Sequence, residues 1–180
     1  MKPESAPPPV RLRAGVPADA ERLALVGKAT FLESYAGLLP VTDILAHGEL
    51  QHAPAVYAGW LADERHHCVL AEAETGAAPV GYLVLGPADL PLADRDARDI
   101  EIRRIYLLYR FQHRGLGRRL MDEATQWARQ RGCRRLLLGV YSRNEAALAF
   151  YAKMGFTQVG ERRFRVGANE YFDYVLGKVL

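Results

Sequence analysis

Hydrophobic and polar residues follow two different periods along the chain. Alternation or a short apolar run predicts strands over 10–14, 66–74, 80–86, 99–107 and 136–140, and two more from Phe156 onward around a turn at Gly167-Ala168-Asn169. Spacings of three and four predict helices from Pro17, within the irregular segment 38–63, from Leu116, and over Asn144 to Met154. The order β-α-α-β-β-β-α-β-α-β-β contains no internal repeat. It indicates an α/β (α+β) sheet with helices on both faces.

The strand predicted over 99–107 loses its alternation near its end. Ile100, Ile102 and Arg104 are predicted on one face, and Glu101, Arg103 and Ile105 on the other. The run Ile105-Tyr106-Leu107-Leu108 is then continuously apolar, where the strand reaches a glycine-containing loop. The preceding segment, Pro87 to Arg98, mixes proline, aspartate and arginine, and it is predicted to be a solvated loop.

A strand that enters a glycine loop and continues into an amphipathic helix predicts an anion site between them. The first amides of a helix have no partners within it, the helix dipole favours negative charge, and glycine lets the backbone approach a ligand closely. Gly115 and Gly117 occupy this junction, and Gly132 marks the end of the helix. The alternative is a tight turn that needs glycine. Neither a phosphate-binding G-x-x-x-x-G-K-[ST] loop nor the third glycine of a dinucleotide fingerprint is present.

Length and composition are those of one globular domain. The chain has 180 residues, of which 49% are hydrophobic and 25% are charged, and this is enough for one core. Residues 1–9 are rich in proline and lack the apolar segment of a signal peptide, so they are predicted to be a disordered leader before a single domain over 10–180. No run of about 20 apolar residues is present, which argues against a membrane partner.

Charge and cysteine content indicate which classes of partner and which cellular location to expect. The net charge is +3, but arginines crowd from Arg110 through Arg135, which suits either cofactor phosphates or nucleic acid. The interleaved aromatic residues expected of a single-strand binder are missing there, so no nucleic-acid partner is predicted. Cys68 and Cys133 have no C-x-x-C spacing, which argues against a bound metal or a disulfide and favours a cytoplasmic location.

The glycine loop also carries a resemblance to a known family. Gln112-His113-Arg114-Gly115-Leu116-Gly117 resembles the Q/R-x-x-G-x-G/A loop of the GNAT N-acetyltransferases. Ile105-Tyr106-Leu107 before it, Asn144 after the next strand, and the run from Phe150 to Phe156 follow in the family's order and spacing. The resemblance implies a mixed, mostly antiparallel sheet of six to seven strands, flanked by about four helices, with a splayed central strand pair.

The resemblance implies acetyl-CoA as the co-substrate and gives the binding residues. Backbone amides of the loop would bind the coenzyme A pyrophosphate, which assigns Gln112, His113, Arg114, Gly115, Leu116 and Gly117. Free backbone groups of Ile105, Tyr106 and Leu107 would pair with the pantetheine arm. Asn144 would contact the cofactor, cap the following helix, or do both.

Two residues are predicted to carry the chemistry. Tyr151 lies at the family's position for the general acid that protonates the thiolate of coenzyme A, and the alternative is a half-buried packing residue. Some members place a glutamate on the strand after the long helix, but here that position is Gly139. Glu101 is therefore the candidate general base, directly or through water, and the alternative is an exposed sheet carboxylate.

The sequence identifies the acceptor of the acetyl group less closely than it identifies the donor. The run from Glu101 to Tyr106 and the chain's ending look like the spermidine/spermine N-acetyltransferases of the PaiA type, which implies a polyamine as the small-molecule amine. A protein N-terminus or an aminated antibiotic is the alternative, and a non-catalytic coenzyme A-binding regulator is an alternative of another class. Positional candidates on the acceptor side are Phe31, Glu33, Tyr35, Glu170 and Tyr171. The sequence is also compatible with a homodimer.

Overall fold

A computed structural model describes residues 8–166 and 169–180. These residues form seven strands and five α-helices. The strands are β1 (Val10–Ala14), β2 (His67–Ala73), β3 (Pro79–Pro87), β4 (Asp99–Leu107), β5 (Arg135–Tyr141), β6 (Thr157–Val166) and β7 (Asn169–Val179). The helices are α1 (Ala20–Tyr35), α2 (Val41–Gln51), α3 (Pro54–Ala62), α4 (Leu116–Gln130) and α5 (Glu145–Lys153).

The seven strands form one sheet in the order β1-β2-β3-β4-β5-β7-β6. Every neighbouring pair is antiparallel except β4 and β5, which are parallel because α4 crosses over between them. The predicted class and the mostly antiparallel sheet are therefore confirmed, and the single parallel pair lies at the centre.

Helices cover both faces of the sheet. On one face α4 and α5 bury a core that includes Leu120, Met121 and Trp127 against Ile100 and Leu138. On the other face α1 and α3 pack over β2 and β3 around Leu23, Tyr57 and Tyr82. We call these the α4 face and the α1 face.

Two local predictions were wrong. The irregular segment 38–63 contains two helices, α2 and α3, where the sequence predicted one, because Pro54 can begin a new helix but cannot continue the previous one. The segment 88–98 is a loop, but it is only partly solvated: Leu90 is 1% exposed and packs with Leu137 and Val175 against the sheet. The leader residues 1–7 and the predicted turn at Gly167 and Ala168 lie outside the described residues.

No helix in residues 8–166 and 169–180 is long and apolar enough to cross a membrane.

Candidate active site

The parallel strands β4 and β5 separate after three residue pairs. They pair from Asp99 with Arg135 to Glu101 with Leu137, although both strands continue beyond that point. The paired end is fastened by charge: Asp99 accepts hydrogen bonds from the guanidinium groups of Arg134 and Arg135 at 2.9–3.0 Å. The other end opens as a V in the middle of the sheet, which leaves backbone groups of β4 without a neighbouring strand.

A β-bulge at Arg103 changes which side chains face the two layers. Val84 pairs with Arg104 and Leu85 with Ile102, so Arg103 is an extra residue in β4. The extra residue reverses the alternation beyond it. Ile105 therefore packs on the α4 face with Ile100 and Ile102, whereas Arg104 lies beside Trp60 of α3 on the α1 face. The prediction that Arg104 shares a face with Ile100, and Ile105 with Glu101, was wrong for this reason.

The bulge and the pairing with β3 also decide which backbone groups face the opening. The amide of Leu108 donates to the carbonyl of Val80, and Tyr82 pairs with Tyr106 in the same register. Hydrogen-bonded pairs alternate along an antiparallel ladder, so the backbone of Tyr106 points to β3, and the backbones of Ile105 and Leu107 point into the V. The groups that a ligand strand can reach are those of Ile105 and Leu107.

The glycine loop joins this opening to α4. Gly115 has φ 76°, a left-handed conformation, and it is the residue from which α4 begins. A side chain at Gly117 would approach the Phe150 ring to 3.4 Å, so the backbone here is already close to its neighbours. The side-chain amide of Gln112 donates to the Leu107 carbonyl at 3.0 Å, which ties the loop to the end of β4. The first-turn amides of α4 open toward an exposed loop and have no partners within the helix.

The other predicted loop residues present their side chains outward. His113 has φ 57° and is exposed, as are Arg114, Gly115 and Arg118, whereas Leu116 is buried in a cluster with Phe111. The contribution of residues 113–117 to a ligand is therefore mainly through their backbone, with the two arginines adding positive charge near it.

Asn144 and Tyr151 mark the two ends of α5. The Asn144 side-chain oxygen accepts a hydrogen bond from the amide of Ala147 at 3.1 Å, so this residue is an N-cap. Tyr151 is 8% exposed and packs between the rings of Phe150 and Phe156 on the α4 face. Burial raises the pKa of Tyr151 above its ordinary value, and the nearby Tyr106 adds to the shift. The phenol is therefore protonated at neutral pH.

Tyr35, Tyr106 and Tyr151 form a group of phenols beside the opening. The neighbouring Tyr106 is the main cause that raises the pKa of Tyr35, followed by burial, and Tyr151 and Asp173 contribute as well. Of the other positional candidates, Glu33 accepts a hydrogen bond from the Tyr109 amide and so supports the loop after β4.

The remaining positional candidates lie elsewhere. Phe31 stacks on His47 in the interior at 4.0 Å between ring centroids, and Glu170 pairs with Arg163 at the surface. Tyr171 meets Tyr141 edge to face at 6.0 Å. Tyr141 ends β5, and together with Glu170 and Tyr171 it lines a second cavity of about 450 Å³.

A cavity of about 160 Å³ lies beside the opening. Its lining comes from α2, α3, β4, β5 and β6: Gln51, Trp60, Glu101, Ile102, Arg103, Arg104, Gly139, Arg162 and Phe164. Glu101 is 7% exposed, and its carboxylate accepts a hydrogen bond from the Asp89 amide at 2.9 Å. The alternative of an exposed sheet carboxylate is therefore wrong, because Glu101 is buried at a cavity wall.

Gly139 contributes space rather than a side chain. A Cβ at this position would overlap the guanidinium of Arg162, which fills the volume over β5. Arg162 pairs there with the buried Asp173 through two hydrogen bonds of 3.1 Å and stacks on Phe164. A positive group thus stands where some GNAT members were expected to carry a glutamate.

The arginines of this cavity were missed from the sequence. Arg103 and Arg104 follow Glu101 in a strand, but only the bulge shows that both reach the same wall as Glu101. Arg162 comes from a strand far along the chain, and no local pattern connects it with Gly139.

Comparisons with known proteins agree with this geometry. Residues 34–156 match the Acetyltransferase (GNAT) family. An uncharacterised N-acetyltransferase of Mycobacterium tuberculosis is 31% identical over 162 residues, which cover 90% of this chain and 98% of that protein. The N-alpha-acetyltransferase RimI of the same organism is 32% identical over 166 residues, 91% of this chain and 90% of that protein. An uncharacterised N-acetyltransferase of Lactobacillus delbrueckii is 41% identical over 100 residues, but the match spans only 58% of its length.

Solved structures show the same fold. The PaiA N-acetyltransferase of Thermoplasma acidophilum, solved in complex with coenzyme A, superposes with a TM-score of 0.78 over 96% of this chain and 99% of that one, at 20% identity. A ribosomal-protein-alanine N-acetyltransferase of Brucella melitensis superposes with a TM-score of 0.72 over 94% and 99%, at 22% identity.

Proposed function

The chain belongs to the acetyltransferase (GNAT) family and is an N-acetyltransferase, and from that premise we propose that it moves the acetyl group of acetyl-CoA to a primary amine by direct attack in a ternary complex. One observation carries the proposal. The V between β4 and β5 opens beside a loop whose glycine conformation starts α4. A linear ligand with an anionic end fits this combination of a free strand edge and unpaired helix amides.

The residues fit acetyl-CoA along its length. The pyrophosphate would lie on the backbone amides of 112–117, at the positive end of α4. The pantetheine arm would pair with the backbone groups of Ile105 and Leu107, and Tyr106 would contribute its phenol rather than its backbone. Asn144 keeps its capping role, and its amide nitrogen remains the group that would face the cofactor.

The transfer needs one proton to leave the amine and one to reach the sulfur. The amine nitrogen forms a bond to the thioester carbon as the C–S bond breaks. Glu101 would accept the amine proton, directly or through water, from its position in the cavity wall. Tyr151, which its raised pKa keeps protonated, would donate to the leaving thiolate of coenzyme A.

The acceptor is not settled by the family. The predicted polyamine gains little support from the cavity, because three arginines and one glutamate line it. A cytoplasmic location and a homodimer stay predictions as well.

A two-part experiment tests the proposal. Calorimetry first measures binding of acetyl-CoA, for which we expect saturable binding with one site per chain. Thiol release is then measured with acetyl-CoA against polyamines, amino acids, aminoglycosides and N-terminal peptides. Binding together with turnover of at least one amine supports the enzyme reaction. Absence of acetyl-CoA binding would contradict it, and binding without turnover of any amine would favour a regulatory role.

A further inference from the structure

The cavity beside the opening carries more positive than negative charge. Three guanidinium groups, those of Arg103, Arg104 and Arg162, line it together with one carboxylate, that of Glu101. Arg162 is neutralised by Asp173 behind it. Arg103 and Arg104 have no ion pair with a carboxylate among the described residues, so their charge is directed at the cavity rather than balanced by the protein.

The hydrogen-bonding capacity of these two arginines is also incomplete. Arg103 donates to the Pro87 carbonyl at 2.7 Å, and Arg104 donates to the Arg103 carbonyl at 2.9 Å. The Nε atoms of both are buried and have no hydrogen-bond partner in residues 8–166 and 169–180. Because these Nε atoms are closed off from solvent, a ligand would meet the terminal nitrogens of the two guanidinium groups, which match the two oxygens of a carboxylate.

Other arginines of the protein show what is missing here. Arg135 makes bidentate contacts with Asp99, and Arg13 bridges Asp19 and Glu72. Each buried carboxylate of those clusters has its guanidinium, and each guanidinium has its carboxylate. Arg103 and Arg104 depart from that rule, and both line the cavity.

Two histidines near Arg104, His47 and His52, add no charge of their own. Burial, and then the positive charge of Arg104, lower the pKa of His47 to about 4 and that of His52 to about 3. Both rings are neutral at pH 7. Trp60 lies 5.7 Å from the Arg104 guanidinium and holds it by a cation–π contact. The arginines therefore set the sign of the field that an acceptor meets.

We propose that this cavity binds a carboxylate of the acceptor, so that the acceptor is a small amine that also carries a carboxylate, such as an amino acid. The inference rests on the proposed acetyltransferase function. Arg103 and Arg104 hold the carboxylate, while the amine of the same molecule lies toward Glu101 and the opening between β4 and β5. A volume of about 160 Å³ is below the roughly 300 Å³ or more of pockets for drug-sized ligands, which suits a small acceptor. A polycation would instead bring positive charge against Arg104.

Acceptors of matched length test the inference directly. Thiol release from acetyl-CoA is compared for 4-aminobutanoate and 1,4-diaminobutane, and for a panel of amino acids and their carboxamides. We expect kcat/KM for the best carboxylate-bearing amine to exceed that of its amide at least tenfold. Equal rates, a preference for the diamine, or turnover of amines that excludes every amino acid would overturn the inference.

Variants then connect the preference with the two arginines. Arg103→Gln and Arg104→Gln should each lower the acid-to-amide ratio of kcat/KM about tenfold, and Arg129→Gln, an exposed arginine of α4, should leave it unchanged. An unchanged ratio in both cavity variants would contradict the assignment. If Arg104→Gln fails to fold, the acid-to-amide ratios of kcat/KM for the parent protein and for Arg103→Gln still test the inference.

A binding measurement separates this inference from the proposed function. Calorimetry with an N-acetylamino acid, added to protein saturated with coenzyme A, should give a Kd that Arg104→Gln raises about tenfold. Coenzyme A should bind the parent, Arg103→Gln and Arg104→Gln equally. Loss of coenzyme A binding in the parent would remove the proposed function, whereas normal binding with no selectivity for the carboxylate removes only this inference.

Discussion

The guanidinium of Arg162 occupies the space that a side chain at Gly139 would fill. The two residues belong to β6 and β5, which are separated in the sheet by β7. Asp173 of β7 supplies the carboxylate that holds Arg162 over its neighbour. The ion pair between Arg162 of β6 and Asp173 of β7 therefore requires that β5 carries no side chain at Gly139.

Gly139→Ala should disturb that ion pair. Its Cβ would displace the end of the Arg162 side chain, which weakens the contact with the buried Asp173. We expect the free energy of unfolding to fall by about 1–3 kcal/mol, as for other overpacked sites. Urea unfolding measures this. Gly59→Ala is the control, since nothing lies within 4 Å of its added Cβ and it is in a helix, so it should be neutral or stabilising.

Gly115→Ala should weaken acetyl-CoA binding. An alanine at φ 76° costs about 1–2 kcal/mol, and relief of that strain moves the first amides of α4. Gly132→Ala has φ 65° just after the opposite end of α4, with nothing within 4 Å of the added Cβ, so it should cost similar stability and leave the Kd of acetyl-CoA unchanged. Calorimetry gives both values of Kd. Equal affinity in the two variants would count against a binding role for the loop.

Tyr151→Phe should remove turnover and keep the fold. The ring contacts with Phe150 and Phe156 do not involve the hydroxyl, so loss of that oxygen should change stability little. We expect kcat to fall by about 10²–10⁴ while the Kd of acetyl-CoA stays constant. Because burial raises the pKa of Tyr151, the parent should show no loss of kcat from this group below pH 10. Tyr109→Phe, with an exposed ring, is the control, and equal rates in the two variants would refute the general-acid role.

Glu101→Gln should lower kcat/KM by about 10²–10⁴, because an amide cannot accept the proton of the amine. The glutamine oxygen can still accept the hydrogen bond of the Asp89 amide, so the cavity wall should keep its shape. Glu64→Gln changes an exposed carboxylate and should leave kcat/KM unchanged. A kcat/KM of Glu101→Gln that matches the parent would indicate water or another base.

Asp99 should make stability depend on pH between about pH 4 and pH 2. Burial alone would raise its pKa, but hydrogen bonds from Arg134 and Arg135 lower it from 3.8 to about 2. A lowered pKa stabilises the fold above pH 3.8, and that contribution of about 2 kcal/mol is lost as the pH falls through 2. Urea unfolding at pH 7, 4 and 2.5 should show this loss in the parent.

Comparison with variants isolates the Asp99 contribution. Asp99→Asn should lack this part of the pH dependence and be less stable than the parent at pH 7, because Arg134 loses its carboxylate and Arg135 keeps only that of the exposed Asp94. Asp89→Asn alters a side chain that is 81% exposed, and it should follow the parent curve. A parent curve that stays parallel to that of Asp99→Asn would show that the ion pair carries no pH-dependent stability.

The sequence was informative wherever a local rule applied. The period of the apolar residues located the strands and α4, and Gly115 with Gly132 marked where α4 starts and stops. The loop from Gln112 to Gly117 was recognisable because Gly115 must adopt a positive φ where α4 begins, and the residues that show this are adjacent in the sequence.

The cavity followed from relationships that no local pattern contains. A bulge depends on how β4 pairs with β3, and it decides on which face Arg104 lies. Leu90 looked like part of a solvated loop because its apolar neighbours, Leu137 and Val175, are distant in the chain. The acceptor side is assembled from five elements, so its charge could be read only after folding.

The V between β4 and β5 also has a consequence for how the protein meets other chains. Unpaired strand edges at the rim of a sheet invite the strands of other proteins. Here the free edge lies in the interior, with helices over both faces. A polypeptide strand carries side chains above and below its plane and would collide with both layers, whereas an unbranched arm one chain thick can slide in. The free strand edge is therefore accessible to a narrow ligand and closed to the strands of other proteins, so it should not promote association between chains.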